Sequence, residues 1–184
     1  LIYFNWRKLI PKRNLTSFYL IFFLILTQGL VGWYMVRSGL TESTDVSHYR
    51  LSLHLTIAFI ILILLFWNYL SLNLQNLSIR NKKIPYILPV IFLFLVLLQI
   101  SVGGLVSGLD AGQIYQTWPL MNHSYFPDDS LLSDLIKLES FNEPSIVQFI
   151  HRNLAYFIIL IFFIILSFIL RDKNLIYLKK CIFL

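Results

Sequence analysis

An all-α integral membrane protein with four transmembrane helices is the fold class this sequence predicts. Of its 184 residues, 58% are hydrophobic and only 13% charged, too apolar a balance for a soluble domain of this size. Four apolar runs, residues 17–36, 51–72, 87–106 and 146–170, are each long enough to span. At about 1.5 Å rise per residue, about 20 residues cross a hydrocarbon core of about 30 Å. None of the runs alternates apolar with polar side chains, and an open sheet would leave backbone groups unpaired in lipid, so helices are expected rather than strands.

Taken in order, the chain opens with a basic segment carrying Arg7, Lys8, Lys12 and Arg13, ahead of the first span. The second span follows, and residues 1–72 form one structural half. A connector, residues 73–86, carries Arg80, Lys82 and Lys83. Residues 87–184 form the other half: a third span, a long loop at 107–145, a fourth span, and a tail with Arg171, Lys173, Lys179 and Lys180. These three basic stretches hold eleven of the fifteen lysines and arginines, whereas every acid except Asp172 falls on the opposite side. The positive-inside rule therefore puts both ends of the chain in the cytoplasm, and makes residues 107–145 an outer loop. The net charge of +6 is mostly topogenic, and with no basic stripe interleaved with exposed aromatics a nucleic-acid role is a poor fit. Cys181 is the single cysteine, so no disulfide or cysteine-based metal site can form within one chain. Leu1 is not a methionine and "NLIYLKKCIFL" turns apolar where the sequence stops, so a fragment of a longer chain is expected.

The apolar background hides a repeat. "QGLVG" at 28–32 in the first span matches "QISVG" at 99–103 in the third, at an offset of 71. "HLTIAFIILILLF" at 54–66 matches "HRNLAYFIILIFF" at 151–163, at an offset of 97. Leucine, isoleucine and phenylalanine agreements carry little weight here; the pairing of His54 with His151 and of Ala58 with Ala155 carries most of it. The pattern predicts a tandem two-helix repeat in parallel topology, with both histidines one or two turns inside a helix start.

An ionisable side chain in a spanning segment ordinarily faces a bundle interior or cavity and marks a functional position. An interfacial histidine bonded to water or headgroups is the plainer reading for either residue alone, and recurrence in both repeats argues against it. Axial ligation of a haem suits an imidazole on a helix in an apolar bundle. A proton relay is the rival, although none of the four runs contains an acid. Zinc is a poorer fit, because His48 and His54 lie six residues apart with no cysteine or acid cluster nearby. His48 and His123 are read as solvated residues of outer loops. Gly29, Gly32, Gly103 and Gly104 would admit either a macrocycle edge or a neighbouring backbone, helix packing being the commoner cause. Arg50, four residues before His54, and Arg152, directly after His151, are candidates for a propionate contact, with snorkelling as the plain alternative. In the outer loop, Gly108, Gly112 and Trp118-Pro119 supply turn chemistry, and Asp110 is placed to bond nearby amides. A loop this long is expected to pack as a cap over the outer mouth of the bundle.

"GWYMVRSGL" (32–40), "GGLVSGLDAGQIYQTWPLM" (103–121) and "FIHRNLAY" (149–156) resemble, in order, hallmark stretches of the haem A synthase family, and "RKLIPKR" (7–13) fits the connector before its third helix. The lack of an outer-loop cysteine pair is similar to the proteobacterial and mitochondrial branch. The resemblance implies an eight-helix architecture of two four-helix bundles, of which this chain would supply the third to sixth helices. His54 would then be an axial ligand of the substrate haem and His151 an axial ligand of the haem b cofactor, each with its partner histidine on a helix outside this chain. Repeat logic alone would instead permit both imidazoles on one iron. The implied reaction oxidises the methyl group of haem O to a formyl group through successive hydroxylations, with water as the oxygen source. Substrate would come from the haem O synthase and product pass to a terminal oxidase, in a bacterial cytoplasmic membrane; homo-oligomer formation stays open. A b-type electron-transfer membrane protein is the runner-up reading, and a small transporter the third.

Overall fold

The computed structural model describes residues 1–39, 46–73 and 85–171. Among them the secondary structure is helical throughout: α1 (Ile2–Trp6), α2 (Lys12–Gly39), α3 (His48–Asn73), α4 (Ile87–Gly108) and α5 (Pro144–Arg171), with short 3-10 turns in the loop between α4 and α5. α2 to α5 are long and apolar enough to cross a membrane, as the four apolar runs predict. Each extends past its predicted span, most clearly α2, which begins at Lys12 rather than at residue 17. The spans mark where hydrocarbon would end, but backbone hydrogen bonding continues through polar flanks, so helices run into the interface. α1 was not foreseen; at five residues it is shorter than any hydrophobic period can reveal.

Proline sits where a helix tolerates it. Pro144 opens α5 and Pro89 falls in the first turn of α4, positions whose N–H would lack an intrahelical acceptor anyway. Many apolar side chains on the long helices face outward; Phe23 is 64% exposed, Phe94 63% and Phe163 58%, the surface expected against lipid tails.

The chain divides into two units, Leu1–Ser78 and Ile79–Leu184. Most of the predicted connector, residues 74–84, lies outside the described residues, as do the basic residues of the tail beyond Arg171.

In the first unit α2 pairs with α3. One end of this hairpin is tied by a polar cluster absent from the sequence expectations. Asn14 Nδ2 donates to Asn68 Oδ1 at 3.0 Å and to Ser71 Oγ at 2.9 Å, and Asn68 Nδ2 donates to Ser17 Oγ at 2.6 Å. Arg13 Nη2 closes the cluster by donating to the Ser71 carbonyl at 2.6 Å. Asn14 and Asn68 are buried, and interhelical bonds of this kind take the place of the hydrophobic drive that helices in lipid lack.

In the second unit α4 pairs with α5 around Val102, Leu105 and Val147, with Phe141, Ile150 and Leu154 packed against them. The 107–145 loop docks along the first turns of α5. Gln148 Nε2 donates to the Tyr115 carbonyl at 2.9 Å, Trp118 Nε1 to Tyr156 Oη at 2.7 Å, and Tyr125 Oη to Asn153 Oδ1 at 2.5 Å. Within the loop, Tyr115 and Met121 are buried. The turn after α4 depends on Asp110 adopting a left-handed φ of 50°, a conformation Asp and Asn tolerate best; its side chain makes no capping hydrogen bond, contrary to expectation. Asn122, at φ 64°, serves the same purpose where Met121 and Ser124 pair, and the Trp118–Pro119 peptide is cis.

Candidate functional site

The two histidines occupy matching seats. His54 stands in the second turn of α3 and His151 in the second turn of α5, each half-buried, and each ring lies against a glycine of the partner helix. A methyl placed on Gly32 would sit 3.0 Å from His54 Cε1; one on Gly103 would sit 3.2 Å from His151 Cε1. Carbon atoms are comfortable at about 3.5–4.0 Å. Any other residue would thus push the ring away, and glycine here makes room for the imidazole itself rather than for a macrocycle edge. Gly29 has nothing within 4 Å among the described residues.

One turn from each glycine stands a glutamine. Gln28 Nε2 donates to the backbone carbonyl of His54 at 3.0 Å, and Gln99 Nε2 donates to that of His151 at 3.2 Å. Gln99 Nε2 also lies 3.1 Å from His151 Nε2. The "QxxxG" stretches that mark the repeat in sequence are therefore its working parts: a carbonyl anchor and a ring seat. In both units Nδ1 of the histidine is buried with no hydrogen-bond partner, as are Gln28 Oε1 and Gln99 Oε1. Leaving such an atom unpaired costs about 1–3 kcal/mol, which marks these as places that a further group completes.

The flanking arginines differ. The Arg50 guanidinium carbon lies 4.7 Å from the ring centroid of Tyr34 on α2, a cation–π contact one turn from His54. Arg152 donates from Nη1 to the Thr117 carbonyl at 2.9 Å and from Nη2 to the Tyr115 carbonyl at 2.5 Å, so it staples the outer loop to α5. His48 is not a solvated loop residue: it opens α3, half-buried and 4.2 Å from the Tyr49 ring, because helix geometry extends three residues beyond the expected span. His123 lies exposed in the outer loop. No group of three or more His, Cys, Asp or Glu side chains that could hold a metal ion occurs among the described residues.

Asp129 joins the loop to the start of α5, accepting from Ser145 Oγ at 2.6 Å. Partial burial opposes its ionisation, but hydroxyl bonds from Ser145, Ser130 and Tyr115 outweigh that and hold its carboxyl below the usual range. Burial, together with the Asp129 carboxylate beside it, raises the Tyr115 phenol above its ordinary value.

For an iron porphyrin, these residues fit one axial position per unit. An imidazole nitrogen is the usual protein donor, and in each unit the ring is seated by helix backbone. Fold and seat together define a class: a multi-pass helical membrane protein carrying a duplicated, glycine-seated imidazole. The chain belongs to the cytochrome oxidase assembly protein family, whose model matches residues 1–184. It is 51% identical over 158 residues to a protein of Pelagibacter ubique named heme A synthase, covering 86% of this chain and 46% of that protein. Heme A synthases of Rickettsia bellii and Rickettsia conorii are 39% and 37% identical over 177 residues, covering 95% of this chain and 52% of theirs. The chain thus spans about half the length of the curated relatives it matches. No solved structure matches it.

Proposed function

We propose that this chain is the central portion of a haem A synthase, which oxidises the methyl group of haem O to a formyl group for use in terminal oxidases. The observation that carries this reading is the repeated seat: an imidazole against glycine, with a buried unpaired ring nitrogen, once in each helix pair. The name carried by relatives up to 51% identical supports it. His54 would hold substrate haem O and His151 would hold haem b, each through an imidazole nitrogen. When bound, haem b would supply one-electron transfer.

The rest falls to the chain. His54 and His151 orient the two macrocycles through rings whose position the glycines fix. Arg50 meets a substrate propionate by leaving or sharing its contact with Tyr34. Arg152 meets a cofactor propionate with the N–H groups not already given to the loop, so that closing the loop and binding the propionate use one side chain. The apolar helices keep bulk water out. Conversion of –CH3 and H2O to –CHO releases four protons and four electrons, so an electron acceptor is part of the whole reaction. The protein resides in a bacterial cytoplasmic membrane with residues 107–145 outside, receives haem O from the enzyme that makes it, and hands haem A to the oxidase.

Supplying haem O to membranes containing the full-length natural protein and separating the haems by chromatography tests this. Haem A should accumulate, and His54→Ala should abolish it. Bound haem b with no conversion would assign the protein to simple electron transfer. Substrate flux in liposomes, unaffected by loss of either histidine, would make it a transporter.

A further inference from the structure

We propose that Gln28 and Gln99 are positioning residues that fix the aim of His54 and His151, each by donating its amide hydrogen to the histidine's own backbone carbonyl across the helix pair. The inference rests on the functional reading above and names what holds its ligands in place.

Three observations carry it. First, the arrangement occurs twice, at 3.0 Å in one unit and 3.2 Å in the other. Second, each glutamine leaves its own Oε1 buried and unpaired. A side chain serving packing alone would be apolar and avoid that cost of about 1–3 kcal/mol. Third, a backbone carbonyl can only accept, so it dictates which end of the amide faces the histidine. At Gln99 that nitrogen is also 3.1 Å from His151 Nε2. An amide N–H can only donate, so the Nε2 lone pair of His151 accepts from Gln99, with Gly103 closing the ring's other edge; coordination through Nε2 would replace that bond while the carbonyl bond stays in place. Gln28 makes the carbonyl bond to its histidine without a ring contact.

The experiment uses the full-length natural protein in detergent with Gln99→Glu, which keeps the shape but replaces the donor, and Gln99→Leu. Haem b is titrated in, and Soret position, electron paramagnetic resonance and elution volume are recorded. Both variants should elute as wild type yet show a shifted haem b spectrum and about 10-fold to 100-fold weaker binding, the scale of lost outer-shell contacts to a metal-bound histidine. Gln28→Glu should leave the haem b signal unchanged and weaken only binding of added haem O. A variant with an unchanged spectrum and affinity overturns the proposal, even if its helices separate at lower denaturant, because a plain interhelical stitch predicts that. Aggregation of both Gln99 variants also overturns it, since a positioning group should not be needed to fold. A wild-type protein that binds no haem removes the functional reading and this inference together; haem-binding wild type with unaffected variants removes this inference alone.

Discussion

A hydrogen atom in place of a methyl decides where each imidazole can lie. At Gly32 the clearance to His54 Cε1 is 3.0 Å and at Gly103 it is 3.2 Å to His151 Cε1, so alanine should disturb the first ring more than the second. Turning a ring off its preferred rotamer costs about 0.5–1.5 kcal/mol, or about 2-fold to 12-fold in affinity. We expect Gly32→Ala to weaken haem O binding in that range, Gly103→Ala to do the same to haem b by a smaller factor, and Gly29→Ala to change neither spectrum, as spectrophotometric titration would reveal. If Gly103→Ala proved the more damaging, the seat geometry would be wrong. The histidines and glycines of these seats were legible in the sequence because they recur against an apolar background. What they touch was not: a glycine admits many neighbours, and only coordinates show that Gly32 and Gly103 face imidazole. Gln28 and Gln99 registered only as markers of the repeat, since a neutral amide in a span carries no charge to draw notice.

Among the elements, the outer loop and the α2–α3 hairpin are held by polar bonds that periodicity cannot forecast. The Asp129 carboxyl is held below its ordinary 3.8, so the charged form is the one the folded loop favours. That contribution is complete above the ordinary carboxylate range and is lost as pH falls through the lowered value. Protease nicking of residues 107–145 should therefore quicken only under strongly acidic conditions, and Ser145→Ala, removing one hydroxyl bond at a cost of about 1 kcal/mol, should move the onset to higher pH. Nicking that is flat with pH in both proteins would disprove this. Asn68 bonds both Asn14 and Ser17, and membrane interhelical bonds average about 0.6 kcal/mol with a maximum near about 1.7. Asn68→Ala should accordingly cost about 1–2 kcal/mol in detergent unfolding while leaving the haem b spectrum intact. The sequence does carry a clue to this clamp, with Asn14, Ser17, Asn68 and Ser71 at helical spacing near span ends, but neutral amides and hydroxyls carry no charge to set them apart. For Arg152, a neighbour of His151 in sequence, adjacency suggested a propionate; the bonds it makes run to loop carbonyls 35 and 37 residues away.

Across the whole molecule, four spans and a two-fold repeat were plain from apolar length and recurring residues, because the bilayer imposes both. The docking of a loop of nearly forty residues onto α5 was not, since it depends on single hydrogen bonds such as Trp118 to Tyr156. Each helix pair seats one imidazole against a glycine, and the chain spans about half the length of its curated relatives. The central claim is that His54 and His151 serve two separate irons. Its most direct test is haem content of the full-length natural protein, purified with and without added haem O. His151→Ala should lose resident haem b, whereas His54→Ala should keep it and fail to take up haem O. Loss of both haems on either substitution, or retention of both on each, would contradict the account.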